Sequence, residues 1–470
     1  MSQPSLGTRP LAGNLKACYR VCQPEMALPA GDPYYTDRTA SDVRGSVPVM
    51  RRIFAAIDMS TEGPGVGWSY SQAAFPKVLI TGHRGCGKTT ELNALADRLR
   101  ESGYFVVQVA ADQLLDLSEV GWQDLLLELA YQVFEQGSGA RRELRCAPDP
   151  GLHEQVYQVL DSTILKSVAT TALEGKLGTE IEAGTPAPFL RLKAVFSNLI
   201  RSSSERVKEV RKQIEPRSEQ FHQDLDRFLS DFQRRLRECG QRGMVVIVDG
   251  LEKIKLADDG GRSMLHRLYV DGSEHLKAVA CPVIYTVPVM LRYDYNLGDI
   301  YGSSVFMLPM VKVRDKDRRR WAPGMHALRR LLERRIVLDA VFDEDALDRL
   351  IEASGGHTRD LLRLVQEACQ VALEADAARV TDLIAQSAIR NFANDNYLRL
   401  CRGREEQLAE VRERQWLELS HGVLAQQLMV MEYRNTDPWH DLHPCMEYLD
   451  EVWKRVTRLP DPPSLASGAP

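Results

Sequence analysis

The stretch LITGHRGCGKTTEL, residues 79–92, decides the fold of this chain of 470 residues. Three glycines stand within six positions and lead directly into Lys88 and Thr89. Their spacing fits G-x-x-x-x-G-K-[ST], in which glycines allow successive backbone N–H groups to turn towards one anion. An apolar strand pattern, KVLI (77–80), precedes the loop and a helical pattern follows it. This context predicts a loop that binds phosphate at the start of a helix.

The residue types in this loop suit a nucleoside triphosphate, for which ATP is the expected ligand. The loop backbone and the positive end of the following helix face the phosphates, and Lys88 reaches the β and γ phosphates. The Thr89 hydroxyl can complete the oxygen shell of a Mg²⁺ ion. The predicted ATP-binding residues of the loop are Gly82, His83, Arg84, Gly85, Cys86, Gly87, Lys88, Thr89 and Thr90.

A second apolar strand supplies a carboxylate for the metal ion. MVVIVDG (244–250) has five consecutive apolar residues before Asp249, as expected of a strand buried on both faces. We therefore predict that Asp249 and Thr89 hold Mg²⁺. Hydrolysis also needs a group that orients or deprotonates the attacking water. Gly250 follows Asp249, and the next acid is Glu252, for which one interpretation is a carboxylate that caps a helix in solvent.

Two later segments complete the predicted site. The strand CPVIYT ends at Thr286, a polar residue at the edge where a nucleotide would bind. The segment EASGGHTRDLLRLVQEAC (352–369) contains two glycines that end one helix, and Thr358 can cap the next helix. Arg359 then lies in the first turn of that helix, where its guanidinium can face the nucleotide. The alternatives are an ordinary strand-end threonine and a surface arginine.

Four motifs in this order, GHRGCGKT, VVIVDGLEK, IYT and GGHTRDLLR, resemble those of the AAA+ and STAND P-loop ATPases. DGLEK is similar to the Walker B motif of NACHT-type proteins, and GGHTRDLLR is similar to the sensor 2 segment of origin-recognition ATPases. The resemblance implies that Glu252 is the catalytic base, that Thr286 is sensor 1 and that Arg359 is sensor 2. Gly250 departs from the AAA+ pattern, in which an acid follows the Mg²⁺ aspartate.

The alternation of strands and helices predicts an α/β fold: a P-loop parallel-sheet core, a helical lid and a C-terminal winged-helix-like α+β domain. A hairpin pattern at 427–444 is the predicted wing. The first predicted unit is an irregular and helical N-terminal segment at 1–76, in which residues 1–45 are irregular. The core follows at 77–312 and contains a helical insertion at about 138–217. The lid is predicted at 313–392, the winged-helix-like domain at 393–458 and a disordered tail at 459–470.

Composition places the chain among ordinary globular proteins. Hydrophobic residues make up 44%, charged residues 27%, and the net charge of -5 argues against a general nucleic-acid coat protein. The most apolar stretch, 278–291, is shorter than the roughly 20 residues that span a bilayer, and no secretory signal is visible. We expect a cytoplasmic protein without membrane contact, in which the nine cysteines are free thiols.

Residues 312–335 hold ten lysines and arginines against three acids. This basic patch has three interpretations: an arginine finger that reaches the ATP of a neighbouring subunit, a contact with a nucleic-acid backbone, or a solvated helix face. Acids outnumber bases at 393–470, which disfavours a wing that reads DNA. We expect the C-terminal domain to have a protein-contact or structural role instead.

The preferred function is an ATP-hydrolysing switch that controls a homo-oligomer and a protein partner or effector. The resemblance also implies roles in signalling or in bacterial antiphage defence. A second hypothesis is a scaffold that is stabilised by ATP and scarcely hydrolyses it. A third is a DNA-binding ATPase of the origin-recognition or transposition type that uses the patch at 312–335.

Overall fold

The computed structural model describes residues 10–38, 40–45, 48–61, 75–139, 211–212, 214–254, 264–418 and 421–458. Nearly all of the insertion predicted at 138–217 and the whole of the tail predicted at 459–470 lie outside these residues. The limits of the predicted units stay predictions.

A five-stranded parallel sheet forms the core. The strands are β1 (Lys77–Thr81), β2 (Tyr104–Ala110), β3 (Gly243–Asp249), β4 (Val283–Thr286) and β5 (Val305–Met307). Their order is β2-β3-β4-β1-β5, and every neighbouring pair is parallel. All side chains of β1 and β4 are buried, as expected of strands covered by helices on both faces. The predicted α/β fold class is confirmed.

Helices cover both faces of this sheet. Those described between β1 and β5 are α4 (Lys88–Glu101), α5 (Ala111–Leu114), α6 (Trp122–Gly139), α7 (Ser218–Glu238), α8 (Met264–His266), α9 (Ser273–Lys277), α10 (Val289–Asp294) and α11 (Leu297–Tyr301). Short 3-10 turns span Glu215–Arg217, Leu251–Lys253 and Gly302–Ser304, and a π turn spans Arg267–Asp271. Helix α7 buries an apolar stripe that includes Phe221 and Leu229, so the predicted amphipathic helix is present.

The N-terminal segment is more ordered than predicted. It contains α1 (Leu15–Val21), α2 (Ser41–Arg44) and α3 (Val49–Thr61). The expectation of irregular structure before residue 46 is therefore wrong for α1 and α2. Asn14 caps α1 by accepting a hydrogen bond from the Ala17 N–H, and the helix packs against a helix of the lid.

Helices dominate after the core. They are α12 (Ala322–Glu333), α13 (Leu338–Val341), α14 (Glu344–Ala353), α15 (Thr358–Glu374), α16 (Asp382–Asn396), α17 (Leu398–Cys401), α18 (Glu405–Arg414), α19 (Gly422–Gln426) and α20 (Asp450–Arg458). The antiparallel strands β6 (Val430–Arg434) and β7 (Pro438–Leu442) form the predicted hairpin, which is followed by a 3-10 turn at Pro444–Tyr448. Trp439 is 1% exposed, so the hairpin belongs to the hydrophobic core.

Two further observations concern cysteines and membranes. Seven cysteines, Cys18 and Cys22 among them, are buried free thiols, whereas Cys239 is disulfide-bonded. The expectation that all nine thiols are free is therefore wrong.

Within the part of the chain that the structure describes, no helix is long and apolar enough to cross a membrane.

Candidate functional site

The predicted site residues meet at the carboxyl edge of the sheet. The β1–β4 register pairs Ile80 with Thr286, and the β2–β3 register pairs Ala110 with Asp249. The chain order reverses at β1, which lies between β4 and β5. In open α/β sheets, ligands bind outside the carboxyl ends of the strands at such a reversal. The phosphate loop leaves β1 at this point.

The phosphate loop has the backbone shape that its glycines predict. Gly85 and Gly87 adopt φ angles of +94° and +101°, which side chains other than glycine rarely adopt. Helix α4 begins at Lys88, immediately after Gly87, so its free N–H groups face the loop. The Lys88 ammonium is 3% exposed and donates to the Gly82 and His83 carbonyls at 2.7 and 3.1 Å. The loop therefore holds a buried cation beside a helix N-terminus, which suits a phosphate group.

Thr89, Asp249 and Glu252 lie together below the loop. The Asp249 carboxylate accepts the Gly250 N–H at 2.9 Å, and the nearby Thr89 hydroxyl acts to lower its pKa. Burial, and next the charge of Glu252, raise the pKa of Asp249. A carboxylate and a hydroxyl in contact fit Mg²⁺, which prefers oxygen ligands and keeps several waters. Within the described residues, no group of three or more histidines, cysteines or acids could hold a metal ion.

Glu252 has the surroundings expected of a catalytic base. Its side chain is 7% exposed, and its Oε2 atom has no hydrogen-bond partner among the described residues. The alternative of a carboxylate that caps a helix in solvent does not fit this burial. A buried carboxylate oxygen without a partner is costly unless water or a ligand satisfies it. The geometry is compatible with an oxygen that accepts a proton from water bound beside a nucleotide.

Thr286 contacts the loop that carries Glu252. Its hydroxyl accepts a hydrogen bond from the Leu251 N–H at 3.2 Å and lies 3.4 Å from the Val248 carbonyl, to which it can donate. The side chain is fully buried. Thr286 is therefore placed to fix the position of Glu252, and its predicted contact with phosphate or water stays a prediction.

The lid lies directly on the phosphate loop. The Arg359 N–H donates to the Gly85 carbonyl at 3.3 Å, and the His357 Nε2 atom lies 2.8 Å from the Arg84 carbonyl. His357, not Thr358, caps α15, so the predicted cap is wrong by one residue. The histidine serves here because its Nδ1 atom accepts the Asp360 N–H.

Arg359 has an ionic partner in the N-terminal segment. Its guanidinium lies 3.2 Å from the carboxylate of Glu25, and burial lowers its pKa. The structure brings Arg359 beside the phosphate loop, as the sensor 2 resemblance implies. The Glu25 contact was not foreseen.

The two lid glycines allow close packing as well as a helix end. A β-carbon on Gly356 would lie 1.7 Å from the Val311 carbonyl oxygen. One on Gly355 would lie 2.7 Å from the Met431 sulfur in the hairpin. Both have positive φ angles. The glycines therefore let the lid approach the core and the hairpin at once.

His83 joins the phosphate loop to the C-terminal hairpin. The imidazole is fully buried, with Nδ1 3.1 Å from the Ala425 carbonyl and Nε2 accepting the Glu432 N–H at 2.9 Å. These partners require a neutral ring with its proton on Nδ1. Burial lowers the pKa of His83 to about 3. Glu432 is itself held by Arg292 at 2.7 Å and by the Tyr293 hydroxyl at 2.6 Å.

Two arginines that sequence reasoning missed also reach the loop. Arg44 donates to the Cys86 carbonyl at 2.9 Å. Arg38 donates to the Thr358 hydroxyl at 2.7 Å, at the start of the lid helix. No local pattern distinguishes these residues from other arginines, since their contacts join segments far apart in the chain.

Four arginines of the basic patch at 312–335 form ion pairs with acids elsewhere in the chain. The ion pairs are Arg314 with Glu352 and Glu447, Arg318 with Asp441, Arg320 with Asp348 and Glu352, and Arg329 with Asp348. Arg335 is buried and donates to the Tyr34 carbonyl. These contacts tie the patch to the lid and hairpin, so these five arginines have structural partners within the chain.

One region of the sequence matches a known protein family, and this region contains the phosphate loop. Residues 70–279 match the family described as AAA ATPase domain. No curated protein matches the sequence significantly.

The chain is also similar to three solved structures at low identity. One is Cdc6p from Pyrobaculum aerophilum, with 12% identity, a TM-score of 0.40, and coverage of 93% of this chain and 97% of that chain. The Aeropyrum pernix ORC2 protein in ADPNP-ADP complexes has 12% identity and a TM-score of 0.41, with the same two coverages. Drosophila ORC bound to DNA has 12% identity and a TM-score of 0.38, over 97% of this chain and 95% of that chain. Values this low carry no information on function.

Proposed function

Because this chain is a P-loop protein of the AAA+ class, with an AAA ATPase domain at residues 70–279, we propose that it is a Mg²⁺-dependent ATPase that works as a molecular switch. ATP would bind at the phosphate loop between the core and the lid. Hydrolysis would change how the lid and the C-terminal hairpin contact that loop. The change would control assembly of a homo-oligomer and its contact with a protein partner.

One observation carries this proposal: three segments outside the sheet converge on a single loop. The lid contacts it through His357 and Arg359, the hairpin through His83, and the N-terminal segment through Arg44. A ligand shifts a conformational equilibrium only when it contacts the two states differently. A phosphate in this loop would meet elements from all three segments, so its presence can bias their arrangement.

Each residue of the site would have its own chemical role. Lys88 and the N–H groups of α4 would bind the β and γ phosphates. Thr89 and Asp249 would hold Mg²⁺, which supplies charge neutralisation on the phosphate oxygens when bound. Glu252 would take the proton of the attacking water, and Thr286 would keep the Glu252 loop in place.

Arg359 would report the γ phosphate to the lid. Its guanidinium now pairs with Glu25, a carboxylate that is 60% exposed. A surface ion pair of this kind contributes little to stability, so a phosphate group can replace it at small cost.

The wider role follows from the resemblance alone. AAA+ and STAND proteins of this size serve in signalling and in bacterial antiphage defence, and we propose a cytoplasmic role of that kind. The patch at 312–335 gives limited support to DNA binding, because four of its arginines are paired with acids within the chain.

The test is molar mass by light scattering in Mg²⁺ with ATP or ADP, on the whole chain. We expect a larger assembly with ATP than with ADP, and no such difference for Lys88→Ala. The exposed Lys16→Ala variant on α1 is the matched control and should behave as the wild type. A mass indifferent to nucleotide, in protein that binds ATP, would leave the scaffold hypothesis. DNA binding that weakens steeply with salt would favour the DNA-binding ATPase.

A further inference from the structure

Arg38 lies beside Gly87 of the phosphate loop, although it is about 50 residues before the loop in the chain. Its side chain is 4% exposed. One Nη atom is 3.3 Å from the position that a β-carbon on Gly87 would occupy. Gly87 immediately precedes the first turn of α4, whose N–H groups face a bound phosphate. The guanidinium therefore lies close to the end of the phosphate loop at which α4 begins.

The hydrogen bonds of Arg38 are incomplete. It donates to the Thr358 hydroxyl at 2.7 Å, and its distance to the Glu91 carboxylate is 3.5 Å. The Nε atom has no hydrogen-bond partner among the described residues. A buried guanidinium normally satisfies its donors, because an unmade hydrogen bond to a charged group is expensive. The Nε–H group of Arg38 is therefore a donor without a partner in the described part of the chain.

Three buried cations lie around the loop. Arg38, Arg44 and Lys88 are each about 3% exposed, and Glu91 is the buried acid among them. The Arg44 Nε atom also lacks a hydrogen-bond partner within the described part of the chain. Burial, and next the charge of Arg38, lower the pKa of Arg44. The two neighbouring guanidinium groups repel each other, and an anion bound between them would relieve that repulsion.

We propose that Arg38 is a further phosphate ligand of the nucleotide site, which contacts the bound polyphosphate while holding Thr358 of the lid. The proposal rests on the proposed ATP binding and deepens it. A planar guanidinium can serve a phosphate oxygen and the lid hydroxyl at the same time, which an ammonium cannot do with the same geometry. Arg38 thereby ties the N-terminal segment and the lid to occupancy of the loop.

The alternative is a purely structural role, in which Arg38 only neutralises the charge of the Glu91 carboxylate. The two roles make opposite predictions for Glu91→Gln. If Arg38 serves Glu91, removing that charge should harm the fold and binding as much as removing Arg38 does. If Arg38 serves phosphate, the substitution frees the guanidinium, and nucleotide binding should be kept or become tighter.

The experiment is calorimetric titration of the full chain with ATP and with ADP, both in Mg²⁺. Arg38→Ala should weaken both ligands by about 10- to 100-fold, as expected for loss of a charge-assisted hydrogen bond. Arg38→Lys should recover only part of the loss. The exposed Arg52→Ala variant on α3 is the matched control and should bind as the wild type.

The outcomes distinguish the proposed nucleotide binding of the chain from the proposed role of Arg38. A wild type that binds neither nucleotide refutes the proposed function itself. A wild type that binds, with Arg38→Ala and Arg38→Lys within about twofold of it, refutes the role of Arg38 alone. Equal losses in Arg38→Ala and Glu91→Gln also refute it. If Arg38→Ala does not fold, a Glu91→Gln variant that binds ATP normally and an Arg38→Lys variant that folds but binds weakly support it.

Discussion

Acidification should weaken the contact between the phosphate loop and the hairpin through one histidine. His83 is neutral in the folded protein, because burial lowers its pKa from 6.5 to about 3. Its ring needs an unprotonated Nε2 to accept the Glu432 N–H. In the unfolded chain the same side chain gains a proton below about pH 6.5. The stability that His83 contributes is therefore complete above that pH and is lost as the pH falls towards 3.

The size of the effect follows from proton linkage. Between about pH 7.5 and about pH 5 the unfolded state gains nearly one proton at His83 and the folded state gains almost none. The free energy of unfolding should fall by about 2 kcal/mol over this interval from His83 alone. His440, whose pKa burial lowers to about 4, adds its own loss. A variant at position 83 is therefore needed to isolate the His83 contribution.

The assay is equilibrium unfolding in urea across this pH range for wild type and His83→Gln. Glutamine does not titrate, so the stability curve of the variant should be flatter by about 2 kcal/mol. His326→Gln, at an exposed position on α12, is the matched control and should follow the wild type. Parallel curves for wild type and His83→Gln would refute the reasoning, because they would mean that His83 titrates alike in both states.

Two further predictions concern the lid and the hairpin. Glu432→Gln should lower the free energy of unfolding by about 3 kcal/mol in urea titrations, because Arg292 loses a partly buried ionic partner; an unchanged midpoint would contradict this. Gly85→Ala should destabilise by about 2 kcal/mol and weaken ATP binding, since its β-carbon would lie 2.7 Å from His357 Nε2 and 2.9 Å from the Arg359 β-carbon at a positive φ. Normal ATP affinity and stability in that variant would show that the lid does not rest on the loop as described.

Local patterns predicted the central strands and the loop well. The observed β1 and β3 agree with KVLI and MVVIV to within one residue at each strand start, because strands buried on both faces are nearly pure apolar runs. The phosphate loop was predictable because its function demands particular glycines and a lysine in adjacent positions. Strand β5 was missed, since three residues after a Gly-Ser turn carry no periodic signal.

The contacts that turn the loop into a junction could not be predicted. Arg38 and Thr358 are 320 residues apart in sequence, and His83 and Glu432 are 349 apart. No local periodicity encodes which distant segment will lie on a given residue. The polar character of His83 within a buried loop was the one available signal, since a buried imidazole needs hydrogen-bond partners.

The central claim is that this site hydrolyses ATP with Glu252 as the base. The direct test is phosphate release under saturating ATP and Mg²⁺, measured beside ATP binding in wild type and Glu252→Gln. The account predicts turnover in the wild type, and a loss of about 100-fold or more in Glu252→Gln with ATP binding retained. Equal turnover in the two proteins would contradict the role of Glu252, and a wild type that binds ATP without releasing phosphate would contradict the enzyme itself.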